Sequence, residues 1–371
     1  MSSGSGIYRR RTDAARDVLG RSGLDAIVIG QPANREYLSG FSWHDETSSA
    51  SVGWIVLTES SGFLLTNFNH AAAAESSGHL EVSCGPGRLI DALVDLLGKL
   101  PGRRIGFESE WISVSTFECL QKAIAPAREL VAVDGLIEKL RETKDSEETA
   151  RVRKSAAITD EAYCDVAKQL RPGQSEREIA WMFERSLRDH GADGMAFGPS
   201  VAAGTHAAVP HHESTDYVIQ PGDPVWVDLG ARCDGYCADL TRSFCLGRVS
   251  TEYVDRWNLV LSAETAALDA LRECLTGKQI DAVARDLIAS AGLAAEFGHG
   301  LGHGLGMMIH EAPRLSWLSD DVMRSGMVVT IEPGVYFSGW GGIRIEDVAL
   351  VQPDGCLILS SAPKTPLLGQ M

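Results

Sequence analysis

The chain has 371 residues, of which 44% are hydrophobic and 23% are charged, and its formal net charge is −16 at pH 7. This composition is that of a globular protein with enough residues for two hydrophobic cores. The acidic balance argues against nucleic acid or an anionic membrane surface as a partner. No apolar run reaches the ~20 residues that a membrane span needs.

The cysteines and the N-terminal residues favour a cytoplasmic protein. No CxxC pair occurs among the eight cysteines, and Cys233, Cys237 and Cys245 lie in an apolar, strand-like stretch. This pattern is typical of buried free thiols in a reducing compartment rather than of zinc ligands or disulfides. The first residues, MSSGSGIYRRR, have no apolar segment of the kind that signal peptides carry.

Residues 1–143 alternate between strand and helix patterns, which predicts an α/β domain. The predicted elements are a helix over 8–22, a strand over 26–30, a hairpin formed by 53–57 and 63–66, a helix over 89–100, a strand over 103–108, a helix over 116–125 and a strand over 130–133. The domain has no phosphate-binding loop and no GxGxxG, so we assign it no chemistry of its own. Trp43 and His44 are interpreted as surface loop residues.

The second domain is predicted to span residues 144–371 and to begin with two helices. Capping-box patterns, in which a cap residue is followed three positions later by Glu, begin at Asp145 and at Ser175. The helices that follow are predicted to end near residues 170 and 190, where Pro-Gly and His-Gly pairs interrupt the helical pattern.

This domain contains a faint internal repeat with an offset of 104 residues. Residues 221–230, PGDPVWVDLG, align with residues 325–334, SGMVVTIEPG. Two further helices, from Glu252 and over 281–290, follow the first two at nearly the same offset. Residues 146–371 are therefore predicted to be two copies of a helix–helix–strand–hairpin unit that enclose a central cleft.

Four carboxylates occupy matching places in the two copies. Asp228 and Asp239 flank one turn, and Glu332 and Glu346 flank another, glycine-rich turn. Each pair is therefore predicted to lie close together across a hairpin. A carboxylate in an apolar strand is unfavourable unless it is paired or binds a metal ion.

Ion pairs are the structural alternative for these carboxylates. Arg232, Arg242 and Arg344 lie close enough in sequence to provide them. Pairing alone gives no reason for a repeat to keep four unfavourable charges at matching positions. Metal binding is therefore the favoured interpretation.

Three histidines lie in the glycine-rich stretch 297–313, FGHGLGHGLGMMIHEAP, at positions 299, 303 and 310. Histidine is the commonest metal ligand and a ready proton shuttle. Four carboxylates balance the charge of two divalent ions, and His303 adds a neutral donor. Such oxygen-rich donors suit manganese, cobalt or iron, with zinc as a competitor. Two metal ions about 3.5–4 Å apart form a hydrolytic site.

The motifs VDLG, ADLTRSF, GLGHGLGMMIHEAPRL, TIEPGVY and GIRIED, in this order, resemble the creatinase/methionine-aminopeptidase superfamily of pita-bread metallopeptidases. Within it, nearly the whole chain resembles Xaa-Pro dipeptidases (prolidases) and Xaa-Pro aminopeptidases. The resemblance implies an α/β fold: a creatinase-like N-terminal domain over 1–143 and a pita-bread catalytic domain, a duplicated ααβ-hairpin, over 144–371.

The resemblance also implies a set of metal ligands. They are Asp228, Asp239, His303, Glu332 and Glu346. Asp239 and Glu346 would bridge two divalent ions, and Glu332 would also hold the nucleophilic water and accept its proton. Mn²⁺ is the expected metal, with Co²⁺, Zn²⁺ and Fe²⁺ as alternatives.

The same resemblance implies roles for residues that are not metal ligands. His211, in VPHHES, and His310, in IHEAP, match histidines that relay a proton or stabilise the intermediate. His299 and Arg344 match residues that line the substrate pocket and the metal site. Arg314, in HEAPRL, resembles an arginine that meets a substrate carboxylate in some prolidases. His206 and His212 are assigned no role.

The sequence therefore predicts a metal-dependent peptidase that cleaves the Xaa-Pro bond at the N-terminus of dipeptides or short peptides. A small peptide substrate and a homodimer formed through the N-terminal domain are expected. One alternative is a hydrolase of a non-peptide amide, such as an amino-acid derivative or an osmolyte. The other is a pita-bread protein that only binds its ligand, against which the complete ligand set and the two histidines count.

Overall fold

The computed structural model describes residues 4–42, 51–75, 78–85 and 87–369. The chain divides into two compact units, Met1–Arg141 and Glu142–Met371. Trp43 and His44 lie outside the described residues. Within the described ranges, no helix is long and apolar enough to cross a membrane.

The first unit is built on a mixed six-stranded sheet with the order β4-β3-β2-β1-β5-β6. In chain order its elements are α1 (Gly4–Arg21), β1 (Ala26–Ile29), α2 (Pro32–Ser39), β2 (Gly53–Thr58), β3 (Gly62–Thr66), a 3₁₀ turn (Phe68–His70), α3 (Ala71–Glu75), β4 (Glu81–Cys84), α4 (Leu89–Lys99), β5 (Arg104–Glu108), α5 (Val114–Ile124), β6 (Glu129–Val133) and, at its boundary, α6 (Glu138–Glu142). Leu93 of α4 and Leu120 of α5 pack with Val28 and Val56 of the sheet in one apolar core.

Four helices and strands of this unit were not predicted from the sequence: the short helices α3 and α6, and β4 and α2, which have no apolar pattern. Strand β4 leaves none of its four side chains buried, so it shows no alternation. Helix α2 buries polar side chains, including Asn34 and Arg35, which hides the usual apolar face of a helix. The helices and strands that were predicted are present, with ends shifted by a few residues.

The second unit contains two helix pairs, each followed by strands. In chain order its elements are α7 (Ser146–Ala167), α8 (Glu176–Asp189), β7 (Gly194–Met195), β8 (Ser200–Ala203), a 3₁₀ turn (Gly204–Ala208), β9 (Pro224–Leu229), β10 (Ala231–Cys233), β11 (Tyr236–Cys237), β12 (Leu240–Leu246), α9 (Thr251–Ala270), α10 (Gly277–Ser290), β13 (Gly302–Gly304), β14 (Glu311–Leu315), β15 (Val328–Ile331), β16 (Gly334–Phe337), β17 (Gly341–Arg344), β18 (Asp347–Gln352), β19 (Gly355–Ile358) and β20 (Leu367–Leu368).

The predicted duplication is present in the sheets of this unit. One sheet has the order β20-β12-β9-β8 and the other the order β14-β13-β15-β18-β19. In both, an antiparallel trio follows a helix pair: β8-β9-β12 follows α7 and α8, and β13-β15-β18 follows α9 and α10. Each copy therefore presents one central strand, β9 or β15, whose C-terminal end leads into a hairpin.

Side-chain caps explain where all four helices begin: Ser250 caps α9, and the other three helices begin with capping boxes. Asp145 and Ser175 form the two predicted capping boxes, with Glu148 and Glu178 reaching back to the cap backbone. A third capping box at Thr276 uses Gln279 and starts α10 at Gly277, earlier than the predicted residue 281. Apolar side chains of each helix pair then pack on their own sheet, in two separate cores.

Candidate metal centre and active site

The register of the first hairpin places Asp228 and Asp239 on one face of the sheet. Asp228 of β9 pairs directly with Thr241 of β12. Asp239 lies two residues from Thr241, so its side chain points to the same face and is the diagonal neighbour of Asp228. The turn itself is Asp234-Gly235, because Cys233 pairs with Tyr236.

The second hairpin places Glu332 directly opposite Glu346. Ile331 pairs with Asp347 on one side of them, and Gly334 pairs with Arg344 on the other. The register of these flanking pairs agrees with the predicted facing of the two glutamates across the glycine-rich turn. The carboxylate positions of the two copies differ in detail, since the first pair is diagonal and the second is direct.

Strand β13 brings His303 to these carboxylates. Its Nε2 atom lies 3.3 Å from Oε1 of Glu332 and 3.7 Å from Oδ2 of Asp239. Its Nδ1 atom lies 3.0 Å from the carbonyl oxygen of Gly304, which makes Nδ1 the donor and leaves the Nε2 lone pair facing the carboxylates. Asp239, His303 and Glu346 offer ligand atoms that all lie within 4.8 Å of one another.

Burial and mutual repulsion raise the pKa of these carboxyl groups. For Asp239, burial is the largest cause and the charges of Glu346 and Asp228 follow, so its pKa lies well above the ordinary value. Burial, then Glu332 and Asp228, does the same to the pKa of Glu346. Burial also raises the pKa of Glu332, although His299 and Arg344 oppose the shift. Burying these carboxylates as ions without counter-charges would cost free energy, which bound cations would offset.

The donor set fits divalent metal ions. Oδ1 of Asp228 and Oε1 of Glu346 are buried and, among the described residues, accept no hydrogen bond. Buried carboxylate oxygens without donors are rare unless an ion occupies their lone pairs. With the Nε2 lone pair of His303, they provide oxygen-rich coordination with one imidazole, which suits Mn²⁺, Co²⁺ or Fe²⁺ and allows Zn²⁺.

Arg344 is the main support of this cluster. It is 4% exposed, and its Nη2 atom donates to Oδ2 of Asp228 at 2.7 Å. Its Nη1 atom donates to the Tyr336 hydroxyl at 2.9 Å, and that hydroxyl lies 3.2 Å from Nε2 of His299. Asp228 therefore forms an ion pair, as the structural alternative to metal binding expected, but only one of its two oxygens takes part. Arg242 instead pairs with Asp347 at 2.8 Å.

Two threonines orient the glutamates. The Thr241 hydroxyl donates to Oε2 of Glu346 at 2.8 Å, and the Thr330 hydroxyl donates to Oε1 of Glu332 at 3.1 Å. Neither threonine, nor Tyr336, was predicted from the sequence to have a role. Each lies in a motif that also contains a proposed ligand, ADLTRSF or TIEPGVY. Proximity to that ligand was the feature of the sequence that could have indicated a role.

The remaining predicted residues surround the cluster. The His310 and His303 rings lie 4.4 Å apart in an edge contact. Burial lowers the pKa of His310, and the charges of His303 and His211 add to the shift, so His211 lies near as well. Arg314 pairs with His303 in the register of β13 and β14. Burial likewise lowers the pKa of His299, whose Nδ1 lies 2.8 Å from the carbonyl oxygen of Gly300.

Comparison with known proteins agrees with this geometry. Residues 150–353 match the model of Metallopeptidase family M24, and residues 11–143 match that of the Creatinase/Prolidase N-terminal domain. The chain therefore belongs to the M24 metallopeptidases. It is an α/β protein with a creatinase N-terminal domain and a pita-bread catalytic domain, which confirms the predicted family and fold class.

Three relatives illustrate the similarity. An uncharacterized peptidase of Bacillus subtilis is 34% identical over 356 residues, which cover 95% of this chain and 98% of that protein. The structure of an Xaa-Pro dipeptidase from Bacillus anthracis has a TM-score of 0.92 and 32% identity, over 97% of this chain and 99% of that chain. An X-Pro aminopeptidase from Thermotoga maritima has a TM-score of 0.88 and 32% identity, over 96% and 99%. Membership of M24 implies a dinuclear metal site and a peptide substrate.

Proposed function

We propose that this protein is a dinuclear-metal peptidase that cleaves the Xaa-Pro bond at the N-terminus of dipeptides or short peptides. The observation that carries the proposal is the convergence of Asp239, His303 and Glu346 within 4.8 Å, beside a buried carboxylate oxygen that accepts no hydrogen bond from the described residues. The relatives named Xaa-Pro dipeptidase and X-Pro aminopeptidase, both at 32% identity, support the choice of bond.

The proposed metal ligands are Asp228, Asp239, His303, Glu332 and Glu346. Asp239 and Glu346, which are the most buried of the four carboxylates, would contribute to holding both ions. Two bound divalent ions, with Mn²⁺ first and Co²⁺, Zn²⁺ or Fe²⁺ as alternatives, would supply Lewis acidity to the scissile carbonyl and lower the pKa of water. Arg344 would keep one oxygen of Asp228 occupied and so orient the other.

Glu332 is proposed to hold the attacking water and accept its proton. Thr330 donates to Oε1 of Glu332, which fixes the plane of the carboxylate. A carboxylate held in one orientation can accept a proton without reorganising, and such general-base catalysis is worth roughly 10²–10⁴-fold in rate.

His310 and His211 are the proposed proton relay and oxyanion donor. The lowered pKa of His310 keeps its imidazole neutral at pH 7, so one ring nitrogen carries a proton and the other a lone pair. A neutral imidazole can donate to the developing oxyanion and pass a proton to the leaving proline nitrogen. His299 is proposed to line the substrate pocket, with Tyr336 fixing its ring.

Arg314 is proposed to bind a substrate carboxylate. Its side chain is exposed, lies opposite His303, and has no ion-pair partner in the part of the chain that the structure describes. A guanidinium left free beside a metal centre suits the carboxylate of a dipeptide. This contact favours dipeptides over longer substrates.

The test is to strip the metal, reload the protein with Mn²⁺, and offer an Xaa-Pro dipeptide and the matching Xaa-Pro-Yaa tripeptide. Cleavage of the dipeptide alone is the expected result, and Arg314→Leu should then raise KM for the dipeptide more than it lowers kcat. Preference for the tripeptide would make the protein an aminopeptidase and remove the role of Arg314. Cleavage of neither peptide would refute the Xaa-Pro assignment.

The two other functions predicted from sequence are outcomes of the same test. A hydrolase of a non-peptide amide would hold two metal ions and cleave neither peptide. A pure binding protein would hold no stoichiometric metal pair. The convergence of metal donors with His310 and His211 favours a hydrolase over a binding protein.

We also propose a compartment, an oligomeric state and domain bounds for the protein. All eight cysteines are free thiols, which supports the cytoplasm as the compartment. We keep a homodimer, and domains 1–143 and 144–371, as proposals. Sedimentation of the metal-loaded protein at micromolar concentration should give the mass of two chains, and limited proteolysis should cut near residue 143.

A further inference from the structure

Glu176, in the first turn of α8, is a buried hydrogen-bond acceptor outside the proposed metal centre. Its side chain is fully buried, and both of its carboxylate oxygens are used. Oε1 accepts from the backbone N–H of Ala203 at 2.8 Å and lies 3.0 Å from Nδ1 of His206. Oε2 accepts from the N–H and hydroxyl of Thr215, at 2.9 and 2.7 Å, and lies 2.9 Å from Nε2 of His212.

All of these partners come from one segment, residues 203–215, which wraps around the carboxylate. The same segment carries His211, whose side chain is exposed, so little packing holds it in place. The segment is also tied to the metal centre, because the carbonyl oxygen of Pro210 accepts from Nη1 of Arg344 at 3.1 Å. The residues on either side of His211 are thus held, one by Arg344 and the other by Glu176.

Glu176 is charged in this setting. Burial opposes its ionisation, but the hydrogen bonds from His212 and Thr215 outweigh burial and lower its pKa. An ionised carboxylate only accepts hydrogen bonds, so both imidazoles must present an N–H to it. This sets the tautomers of His206 and His212, whose rings lie 4.7 Å apart.

We propose that Glu176 is a positioning residue for His211, acting through His212, His206 and Thr215. The carboxylate sets the shape of segment 203–215, and that shape places His211 beside His310 at the metal centre. The inference rests on the proposed function, because the role of His211 is itself part of that proposal. It gives a role to His206 and His212, which have none in the family resemblance.

The two histidines and Glu176 also resemble a metal site, since their ligand atoms lie within 4.8 Å of one another. Both carboxylate oxygens, however, already accept backbone N–H groups, from Ala203 and Thr215. The Glu176 carboxylate can accept these bonds without any metal ion present. They occupy lone pairs that a third metal ion would need. We therefore interpret Glu176 as a hydrogen-bonded hub, that is, one carboxylate that accepts bonds from several donors. Measuring the bound metal distinguishes this hub from a metal site.

The test uses Glu176→Gln in the full-length, Mn²⁺-loaded protein. The amide nitrogen must face the donors of either Ala203 and His206 or His212 and Thr215, so one side of the hub is broken. We expect two metal ions per chain, as in the wild type, and a kcat lower by roughly 10–100-fold, with KM changed much less. Thr215→Val, which removes one donor without changing shape, is the milder second variant.

Asp160→Asn is the matched control. Asp160 is a buried carboxylate on α7 that accepts from the N–H and hydroxyl of Ser361 and from the N–H of Ala362. It has the same kind of bonds in the same unit but does not contact segment 203–215. Its kcat is expected to stay within about twofold of the wild type. Equal losses of kcat in Asp160→Asn and Glu176→Gln would overturn the proposal.

A double-mutant cycle tests whether Glu176 acts through His211. Once His211 is replaced by Ala, adding Glu176→Gln should lower kcat no further, and additive losses would refute the inference. A readout independent of turnover comes from ¹⁵N-histidine-labelled protein, in which Glu176→Gln but not Asp160→Asn should shift the ring signals of His211. If the wild type cleaves neither peptide but these signals shift, the proposed function fails and the positioning role stands. A third bound metal ion that disappears in Glu176→Gln would replace the hub by a metal site.

Discussion

Glu332 and Glu346 occupy opposite positions between two antiparallel pairs, Ile331–Asp347 and Gly334–Arg344. Burial, followed by the charge of Glu332, raises the pKa of Glu346 well above its ordinary value. Two facing carboxylates in a buried site are tolerated only if they share protons or bind cations. Metal binding and protonation must therefore compete at this pair.

Metal binding is expected to release protons. The raised pKa values of Asp239 and Glu346 mean that the metal-free fold holds protons that the ions displace, about one or more per chain. Calorimetric titration with Mn²⁺ in buffers of different ionisation enthalpy measures this number. Binding heats that are the same in every buffer would contradict the prediction.

The same shifts predict how stability depends on pH. For a carboxyl whose folded pKa is raised, the contribution to stability is fully present below the unfolded pKa and is lost as pH rises through the folded pKa. The metal-free protein should therefore lose stability as pH rises above the ordinary pKa range of carboxyl groups, whereas the metal-loaded protein should lose less. Urea midpoints of the two forms should diverge with rising pH, and parallel curves would contradict the prediction.

Asp239→Asn should lower both metal content and activity. The amide keeps the size of the side chain but removes the charge of a proposed bridging ligand. We expect fewer than two metal ions per chain and a kcat lower by more than about 100-fold, a larger loss than outer-shell changes cause. Elemental analysis and turnover assays provide the measurement.

Asp234→Asn is the control for that change. Asp234 lies in the turn of the same hairpin, is half exposed, and has a φ of 50°, a conformation that Asn adopts readily. Metal content and kcat should stay close to those of the wild type. Full activity in Asp239→Asn would refute the bridging role.

His310→Ala should reduce turnover while both metal ions remain bound. Its ring contacts His303, but His310 is proposed as a proton donor and not as a ligand. We expect kcat to fall by roughly 10²–10⁴-fold, the usual size of a general acid–base contribution. His190→Ala, which removes a histidine paired with Asp165, should leave kcat unchanged. Loss of a metal ion in His310→Ala would instead make His310 a ligand.

Lys144→Met should destabilise the protein, because it breaks a buried ion pair. Nζ of Lys144 lies 3.1 Å from Oε2 of Glu311, and the two side chains are only 1% and 7% exposed. Removing one partner of a buried pair leaves an uncompensated charge and costs about 3–5 kcal/mol. Urea unfolding of the metal-loaded protein measures the change in free energy.

Lys154→Met provides the comparison for Lys144→Met. Lys154 pairs with Asp234 at 2.7 Å, but these side chains are 55% and 51% exposed. Exposed pairs contribute only about 0–1 kcal/mol, so little change in stability is expected. Similar losses in the two variants would show that the Lys144–Glu311 pair is not protected from water.

Much of the catalytic unit could be predicted because its signals are local or repeated. The capping residues Asp145 and Ser175 act on backbone groups two or three positions away, so their effect is readable in a short window. The position of Glu332 opposite Glu346 followed from the turn between them, since turn length sets the register of a hairpin. Asp228 and Asp239 turned out diagonal because the turn centres on Asp234-Gly235.

Other features of the site were beyond sequence reasoning. Three arginines, Arg232, Arg242 and Arg344, were equally able to pair with the carboxylates. Only the fold places Arg344 beside Asp228 and Arg242 beside Asp347. In the sequence, nothing distinguishes Glu176 from an ordinary acidic residue in the first turn of a helix. Its burial and its bonds to segment 203–215 depend on how α8 packs beside β8.

The sequence by itself determined which residues are the candidate metal donors, the duplication that carries them and most of the helices and strands on which they lie. These depend on side-chain chemistry, on periodicity and on contacts between residues near in sequence. The tertiary structure decided which buried charges meet, as with Glu176 and His212 or Lys144 and Glu311. Such pairs join residues that are 36 and 167 positions apart. Opposite charges attract whatever their positions in the sequence, and the packed fold decides which of them come into contact.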